Sequence, residues 1–198
     1  DHVIEMMMDG HIFPEGLGPS ISTICFWEFD TGFDIAHPEI AKEGNGLIGM
    51  SDFNVKMLAQ TFPKQTVSKL LYPFRFFASI LEKPNVIRKR YGIDKDDFAV
   101  FFNFDYCSSF NRKNPDGAMR AFAMAFKNCP NTRLVFKTMN ERHFPDQAKF
   151  LHTLSSQLGI ADRFTSIDTY IPLRDIYGLI NACDCYLSLH RGEGFGLG

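Results

Sequence analysis

The chain has 198 residues, of which 45% are apolar and 22% are charged. This globular composition excludes a disordered chain, a collagen and a coiled coil, and the length suits one large domain or two small ones. Twenty-one basic against 23 acidic residues leave a net charge of -2. Because there is no basic excess to neutralise a phosphate backbone, we expect no nucleic-acid partner.

Targeting and membrane segments are absent from the sequence pattern. No run approaches the ~20 apolar residues of a membrane helix, and Asp1–Glu5 lack the features of a signal peptide. We expect a cytoplasmic protein without a transmembrane segment, and peripheral association at the inner membrane face stays open. Since the chain starts without Met and stops at Gly198 in a glycine-rich run, we also expect a self-associating fragment of a longer protein.

The five cysteines are irregularly spaced, and Cys183 and Cys185 have one residue between them instead of the two of a zinc or redox pair. We interpret the cysteines as buried free thiols in a reducing compartment. The histidines do not cluster at ligand spacing, so we predict no metal site.

The first half of the chain alternates short apolar runs with helical patterns, which predicts strand, helix, strand, helix, strand. The predicted elements are a strand over Ile21–Phe29, a short helix over His37–Glu43, a strand over Leu47–Met50, a helix from Ser51 or Asp52 to about Phe62, and a strand over Val67–Leu71. Residues 72–95 break this rhythm with Pro73 and Pro84, and the basic triplet Arg88–Arg90 is expected on a solvated helix face.

The alternation restarts after Gly92. Phe98–Phe104 is apolar on both faces, as a central parallel strand should be. A polar loop, Asp105–Lys113, follows, and Asn114 and Pro115 are typical of an N-cap and a first helical residue. The remaining predictions are a helix from Pro115 to near Asn128, a strand over Thr132–Lys137, a helix over Gln147–Gln157, a strand over Phe164–Ile167, a helix from Leu173 to beyond Ile180, and a strand over Tyr186–Leu189.

Such alternation predicts an α/β fold with two Rossmann-like parallel-sheet units, both incomplete. We place the boundary near Gly92, which gives units 1–92 and 93–198. Ligands of these folds bind outside the carboxyl ends of the strands. The informative loops are therefore 105–113, 138–146, 168–172 and 190–198.

Two of these loops carry residues suited to anions. Arg112 and Lys113 immediately precede the helix start at Asn114, where free N–H groups and the helix dipole favour negative charge. Lys137 ends an apolar strand and should point to the same crevice. From the residues alone, a solvated pair of cations and a lysine that reaches water remain open for these positions.

The last loop contains glycines at 192, 194, 196 and 198, which would let a backbone approach a ligand closely. Its spacing is not that of a dinucleotide fingerprint, because Leu197 stands where the third glycine would be required. Glu193 would repel a pyrophosphate but could accept hydrogen bonds from sugar hydroxyls. A glycine-rich linker is the alternative, although Phe195 and Leu197 are unusual in a linker.

Together these residues resemble retaining glycosyltransferases of the GT-B fold, family 4 or group 1 type. The resemblance covers nearly the whole chain, with the end of an acceptor domain followed by the start of a donor domain. It rests on Arg112–Pro115 before an Ala/Phe-rich helix, on Tyr170–Tyr177 leading into Ala182–Asp184, on Ser188–Leu197, and on Phe26–Glu28 and Met50–Phe53 upstream.

The resemblance implies transfer of a sugar, with retention of configuration, from a nucleotide-diphosphate sugar to a glycan or lipid-linked acceptor, without a further cofactor. Glu193, Lys113 and Arg112 would be the catalytic residues, with Lys113 matching the phosphate-binding lysine. The substrate-binding residues would be Lys137, Tyr170, Ile171, Gly194, Phe195 and Gly196.

The sequence also departs from the family pattern. An arginine usually found earlier in the loop is replaced within Asp105–Ser109, so Arg112 would substitute for it. The second family glutamate would fall beyond Gly198, and we therefore expect the chain by itself to be inactive. Glu28 is a candidate acceptor-domain group or an ordinary capping carboxylate. A nucleotide-binding module without activity and a GT-B nucleotide-sugar epimerase remain alternatives.

Overall fold

In a computed structural model of the chain, the structure describes residues 22–23, 46–49, 51–70 and 82–192. The fold is mixed α/β with parallel sheets, as predicted. The chain divides into two compact units, the first built mainly from residues 1–75 and the second from residues 76–191.

The first unit contains a parallel three-stranded sheet in the order β1-β2-β3. Its elements are β1 (Ser22–Thr23), β2 (Leu47–Gly49), helix α1 (Asp52–Thr61) and β3 (Val67–Lys69). Helix α1 begins where predicted, because the Ser51 hydroxyl accepts a hydrogen bond from the Asn54 amide at 3.1 Å. The predicted helix over His37–Glu43 lies outside the described residues.

The second unit contains a four-stranded parallel sheet in the order β6-β5-β4-β7. Its strands are β4 (Phe98–Asp105), β5 (Thr132–Met139), β6 (Phe164–Asp168) and β7 (Cys185–Tyr186). Its helices are α2 (Pro84–Arg90), α3 (Phe110–Lys113), α4 (Pro115–Ala125), α5 (Pro145–Gln157) and α6 (Leu173–Ala182).

Both faces of this sheet are covered, which explains the continuous apolar runs of β4 and β5. On one face Phe102, Phe104 and Phe136 pack against side chains of α4 and α5. On the other face Phe101 and Val135 pack against side chains of α2 and α6. These phenylalanines are therefore core residues, as predicted, whereas Phe98 at the start of β4 is 43% exposed.

Three expectations about local structure were wrong. Residues 110–113, predicted as loop, form the helical turn α3, in which the Ser109 hydroxyl accepts a hydrogen bond from the Arg112 amide at 3.3 Å. Strand β7 spans Cys185–Tyr186 rather than Tyr186–Leu189, because the chain after Leu187 turns toward α3 and α4. The four cysteines that the structure describes are unpaired as predicted, but Cys107, Cys129 and Cys185 are exposed rather than buried.

Arg88 also corrects the expectation of a solvated basic face. It is 8% exposed and bonds to the Ala182 carbonyl at 2.8 Å and to the Asp184 carboxylate at 2.6 Å. Its guanidinium further donates to the carbonyls of Asp94, Lys95 and Asp97. These bonds attach α2 to the second unit.

Candidate functional site

The carboxyl ends of β4 and β7 bring two loops of the second unit together. The first loop follows Asp105 and ends in the turn α3; the second, residues 187–191, follows β7. Leu187 extends the pairing beyond β7, since its amide donates to the Phe101 carbonyl at 2.8 Å. The second loop then reaches α3, where the Arg191 amide donates to the Arg112 carbonyl at 2.8 Å.

Asn114 lies at the junction of α3 and α4 and has a left-handed backbone with φ of 54°. The prediction that it precedes the helix is confirmed, but its side chain makes no capping bond. Instead its Nδ2 donates to the Leu189 carbonyl at 2.9 Å. Asparagine tolerates this backbone region better than most residues, so one residue turns the chain and also holds the second loop.

The two predicted phosphate-binding cations occupy the end of α3, directly before the N-terminus of α4. Arg112 is buried, with 8% of its surface exposed, and Lys113 is half-buried. Arg191 comes from the second loop, and its guanidinium donates to the backbone and side-chain oxygens of Asn111. Three cationic residues from two loops therefore lie at one helix start.

Lys137 lies in β5 and is 4% exposed, with its ammonium group donating to the Thr138 carbonyl. Burial lowers its pKa, and the nearby carboxylates of Asp168 and Asp105 partly oppose that change. The structure thus places Lys137 beneath the carboxyl edge of the sheet rather than in water. Lys137 therefore lies in the sheet, whereas Lys113 lies in the turn α3.

The carboxyl edge is further ordered by two carboxylates that the sequence analysis did not single out. Asp105 accepts hydrogen bonds from the Cys107 amide at 2.9 Å and from Asn140 Nδ2 at 2.8 Å. Asp168 accepts one from the Thr138 hydroxyl at 3.1 Å. Each is the last residue of its strand, β4 or β6, and that position was the signal that could have identified them.

Cys107 lies in the same loop and has an exposed thiol. Desolvation and the adjacent Asp105 carboxylate raise its pKa. The thiol is therefore protonated at neutral pH, which makes it a poor nucleophile.

His190 attaches the second loop to strand β4. Its ring stacks on Phe102, with centroids 5.0 Å apart and planes inclined by 15°. Its Nε2 lies 3.1 Å from the Asn103 carbonyl and its Nδ1 lies 3.0 Å from the Ser188 hydroxyl. Because a carbonyl only accepts, we assign a proton to Nε2.

The predicted base-binding residues lie between β6 and α6. Tyr170 is 78% exposed, whereas the side chain of Ile171 is buried in the core beside α6. Glu193, Gly194, Phe195 and Gly196 lie outside the described residues, as do Glu28 and Met50. Their predicted roles remain predictions.

Comparison with solved structures identifies the architecture. Anabaena Alr3699/HepE in complex with UDP matches with a TM-score of 0.69 at 16% identity, covering 95% of this chain and 50% of that one. Both sheets have the Rossmann-like parallel architecture of GT-B proteins. A UDP-forming α,α-trehalose-phosphate synthase from Burkholderia xenovorans matches at 0.62 and 10% identity, covering 88% of this chain and 48% of that one.

A third match is WaaG, a glycosyltransferase involved in lipopolysaccharide biosynthesis, with a TM-score of 0.58, 15% identity, and coverage of 92% of this chain and 56% of that one. The chain spans from two fifths to just over half of the length of such structures. No family model matches the sequence, and no curated protein sequence matches it. At these identities the likeness concerns the fold alone.

The described residues also bear on membranes and metals. No helix among them is both long and apolar enough to cross a membrane. Within the same ranges, no group of three or more His, Cys, Asp or Glu side chains is arranged to hold a metal ion.

Proposed function

We propose that the chain is part of a GT-B glycosyltransferase that transfers a sugar from a nucleotide-diphosphate sugar to a glycan or lipid-linked acceptor, with retention of configuration. The observation that carries the proposal is the meeting of Arg112, Lys113 and Arg191 at the start of α4. Cations at a helix N-terminus suit a diphosphate in both charge and geometry.

The second support comes from the fold. Ligands of open α/β sheets bind beyond the carboxyl ends of the strands, and the three cationic residues lie at those ends of β4 and β7. The solved structure of Alr3699/HepE with the same fold contains UDP. A nucleoside diphosphate is therefore the ligand class that best joins the fold to the local charge.

The proposed chemistry is electrostatic. When the bond between the sugar and the diphosphate breaks, negative charge develops on the leaving phosphate. Lys113 and Arg112 would stabilise that charge together with the N–H groups of α4, without forming a covalent bond to the sugar. The donor requires no further cofactor in this proposal.

The remaining assignments follow the family resemblance. Glu193 would accept hydrogen bonds from donor hydroxyls, and the backbone of Gly194, Phe195 and Gly196 would approach the donor closely. Tyr170 and Ile171 would border the base, with Ile171 contributing backbone groups because its side chain is in the core. Lys137 would support the site from within the sheet.

Binding of UDP, GDP and ADP sugars to the chain, measured by calorimetry, tests the proposal. We expect one nucleotide class to bind, and Lys113→Ala to lose most of that affinity while it unfolds at the same temperature. Lys149→Ala is the matched control, because Lys149 is an exposed lysine on α5. Equal binding by both variants, or no binding to the unaltered chain, would contradict the proposal.

The longer protein then distinguishes enzyme from binding module. A glycosyltransferase with an acceptor must release the nucleoside diphosphate and form a glycoside with the anomeric configuration of the donor. An epimerase would yield a changed sugar without a glycoside. Binding without turnover under any acceptor would favour a module without activity.

A further inference from the structure

Gly117 lies in the first turn of α4 and faces the side chain of Asn114. A Cβ atom added at Gly117 would lie 2.4 Å from Asn114 Oδ1 and 2.6 Å from its Nδ2. Real Cβ contacts are never this short, so any larger residue would force the Asn114 amide to rotate away. The glycine therefore keeps open the space that this amide occupies.

The amide uses that space to hold the second loop. Asn114 Nδ2 donates to the Leu189 carbonyl at 2.9 Å, across 75 residues of sequence. The usual capping bond of an N-cap asparagine is not made. The side chain is thus committed to the loop 187–191 instead of to its own helix.

Arg191 supplies a second connection between the same two segments. Its backbone amide donates to the Arg112 carbonyl at 2.8 Å, and its guanidinium donates to two oxygens of Asn111. The connection therefore reaches Asn111 and the backbone of Arg112. It is formed by a residue to which the sequence analysis assigned no role.

We propose that Gly117, Asn114 and Arg191 are positioning residues that clasp the loop 187–191 onto the turn α3 and thereby set the geometry of the diphosphate site. For its effect on a ligand, the inference rests on the proposed function. Without the clasp, the cations of α3 and the residues of the second loop would move independently, and misplacement by about 1 Å can reduce activity about a hundredfold.

Amide exchange of the 198-residue chain by NMR tests the clasp without any ligand. The reporter is the Arg191 amide, which is protected only while the loop is held on Arg112. Gly117→Ala should raise its exchange rate about tenfold or more, because the loop opens locally. Gly178→Ala is the control, since this helical glycine has ordinary space, with its nearest contact at 3.5 Å from Ile87 Cδ1.

A double-mutant cycle identifies the cause. Asn114→Gly tolerates the left-handed backbone and removes the amide, so it should also raise Arg191 exchange. In that background Gly117→Ala should have no further effect, because the three nearest atoms it would meet all belong to Asn114. A further rise in Arg191 exchange in that background would show that Gly117 acts through the helix itself, and would overturn the inference.

The same variants, titrated with the nucleotide sugar that the unaltered chain binds, test the link to the site. Gly117→Ala should weaken binding about tenfold or more, whereas Gly178→Ala should not. Unchanged Arg191 exchange in Gly117→Ala, or faster exchange with full affinity, would overturn the inference. If the unaltered chain binds no nucleotide sugar, the proposed function fails, and exchange alone still decides whether the clasp exists.

Discussion

At the scale of single residues, Arg88 holds α2 in place through the polar contacts of its guanidinium. Its five hydrogen bonds connect α2 to the Asp184 carboxylate and to four backbone carbonyls. Breaking a buried, charged network leaves desolvated partners behind and typically costs about 3 kcal/mol or more. Because 40% of the Asp184 side chain is exposed, we expect the lower end of that range for Arg88→Ala.

Urea denaturation measures this loss, and Lys89→Ala is its neighbouring control, because Lys89 is exposed on the same helix. The control should change the free energy of unfolding by less than about 0.5 kcal/mol. Similar losses in both variants would show that α2 is held by its apolar contacts and not by Arg88.

Lys137 should make stability depend on pH in a defined direction. Its pKa in the folded chain is lowered by burial, so below that pKa the folded state carries a desolvated charge that the unfolded chain carries in water. This desolvated charge destabilises the folded state fully below the folded pKa. The destabilisation disappears as the pH rises through the ordinary lysine pKa of about 10.4.

Lys137→Met should therefore be more stable than the unaltered chain at pH 7, and the difference should shrink by pH 10. Thermal unfolding of both chains across this interval measures the difference. A variant that is less stable at pH 7 would indicate that the bond to Thr138 and the attraction of Asp168 outweigh desolvation. Lower nucleotide-sugar affinity in the same variant would agree with the role proposed for Lys137.

At the scale of elements, α1 packs closely on β2 at Gly49. A Cβ at this position would lie 2.8 Å from the Val55 backbone nitrogen, and a backbone atom cannot rotate away as a side chain can. We expect Gly49→Ala to lower the free energy of unfolding by about 1–3 kcal/mol, measured by urea denaturation. Gly178→Ala serves again as control, and equal stability of the two variants would contradict this packing.

The elements also show what sequence patterns can and cannot predict. Strands β4 and β5 could be predicted because burial on both faces leaves a continuous apolar run. The turn α3 could not, since Asn111, Arg112 and Lys113 carry no apolar periodicity and its start depends on one bond to Ser109. For the site, Arg112 and Lys113 follow from their place before a helix, whereas the contact of Arg191 with Asn111 joins residues 80 positions apart.

At the scale of the whole molecule, the start of α4 can be compared with a groove elsewhere in the described part of the chain, which also contains arginines. This groove, of about 530 Å³, lies between α2 and α6 and is lined by Arg90, Arg174, Glu82 and Asp175. Glu82 forms an ion pair with Arg90 at 2.7 Å. Because its lining holds as many carboxylates as guanidinium groups, the groove suits an anion poorly.

Chemical-shift mapping of the isotope-labelled chain during titration with UDP tests the central claim most directly, because it reports where a nucleoside diphosphate binds. We expect the largest amide shifts in residues 111–117 and 187–192, while the amides of Arg90, Arg174 and Asp175 stay unchanged. Shifts concentrated in the groove between α2 and α6, or no shifts at millimolar UDP, would contradict it.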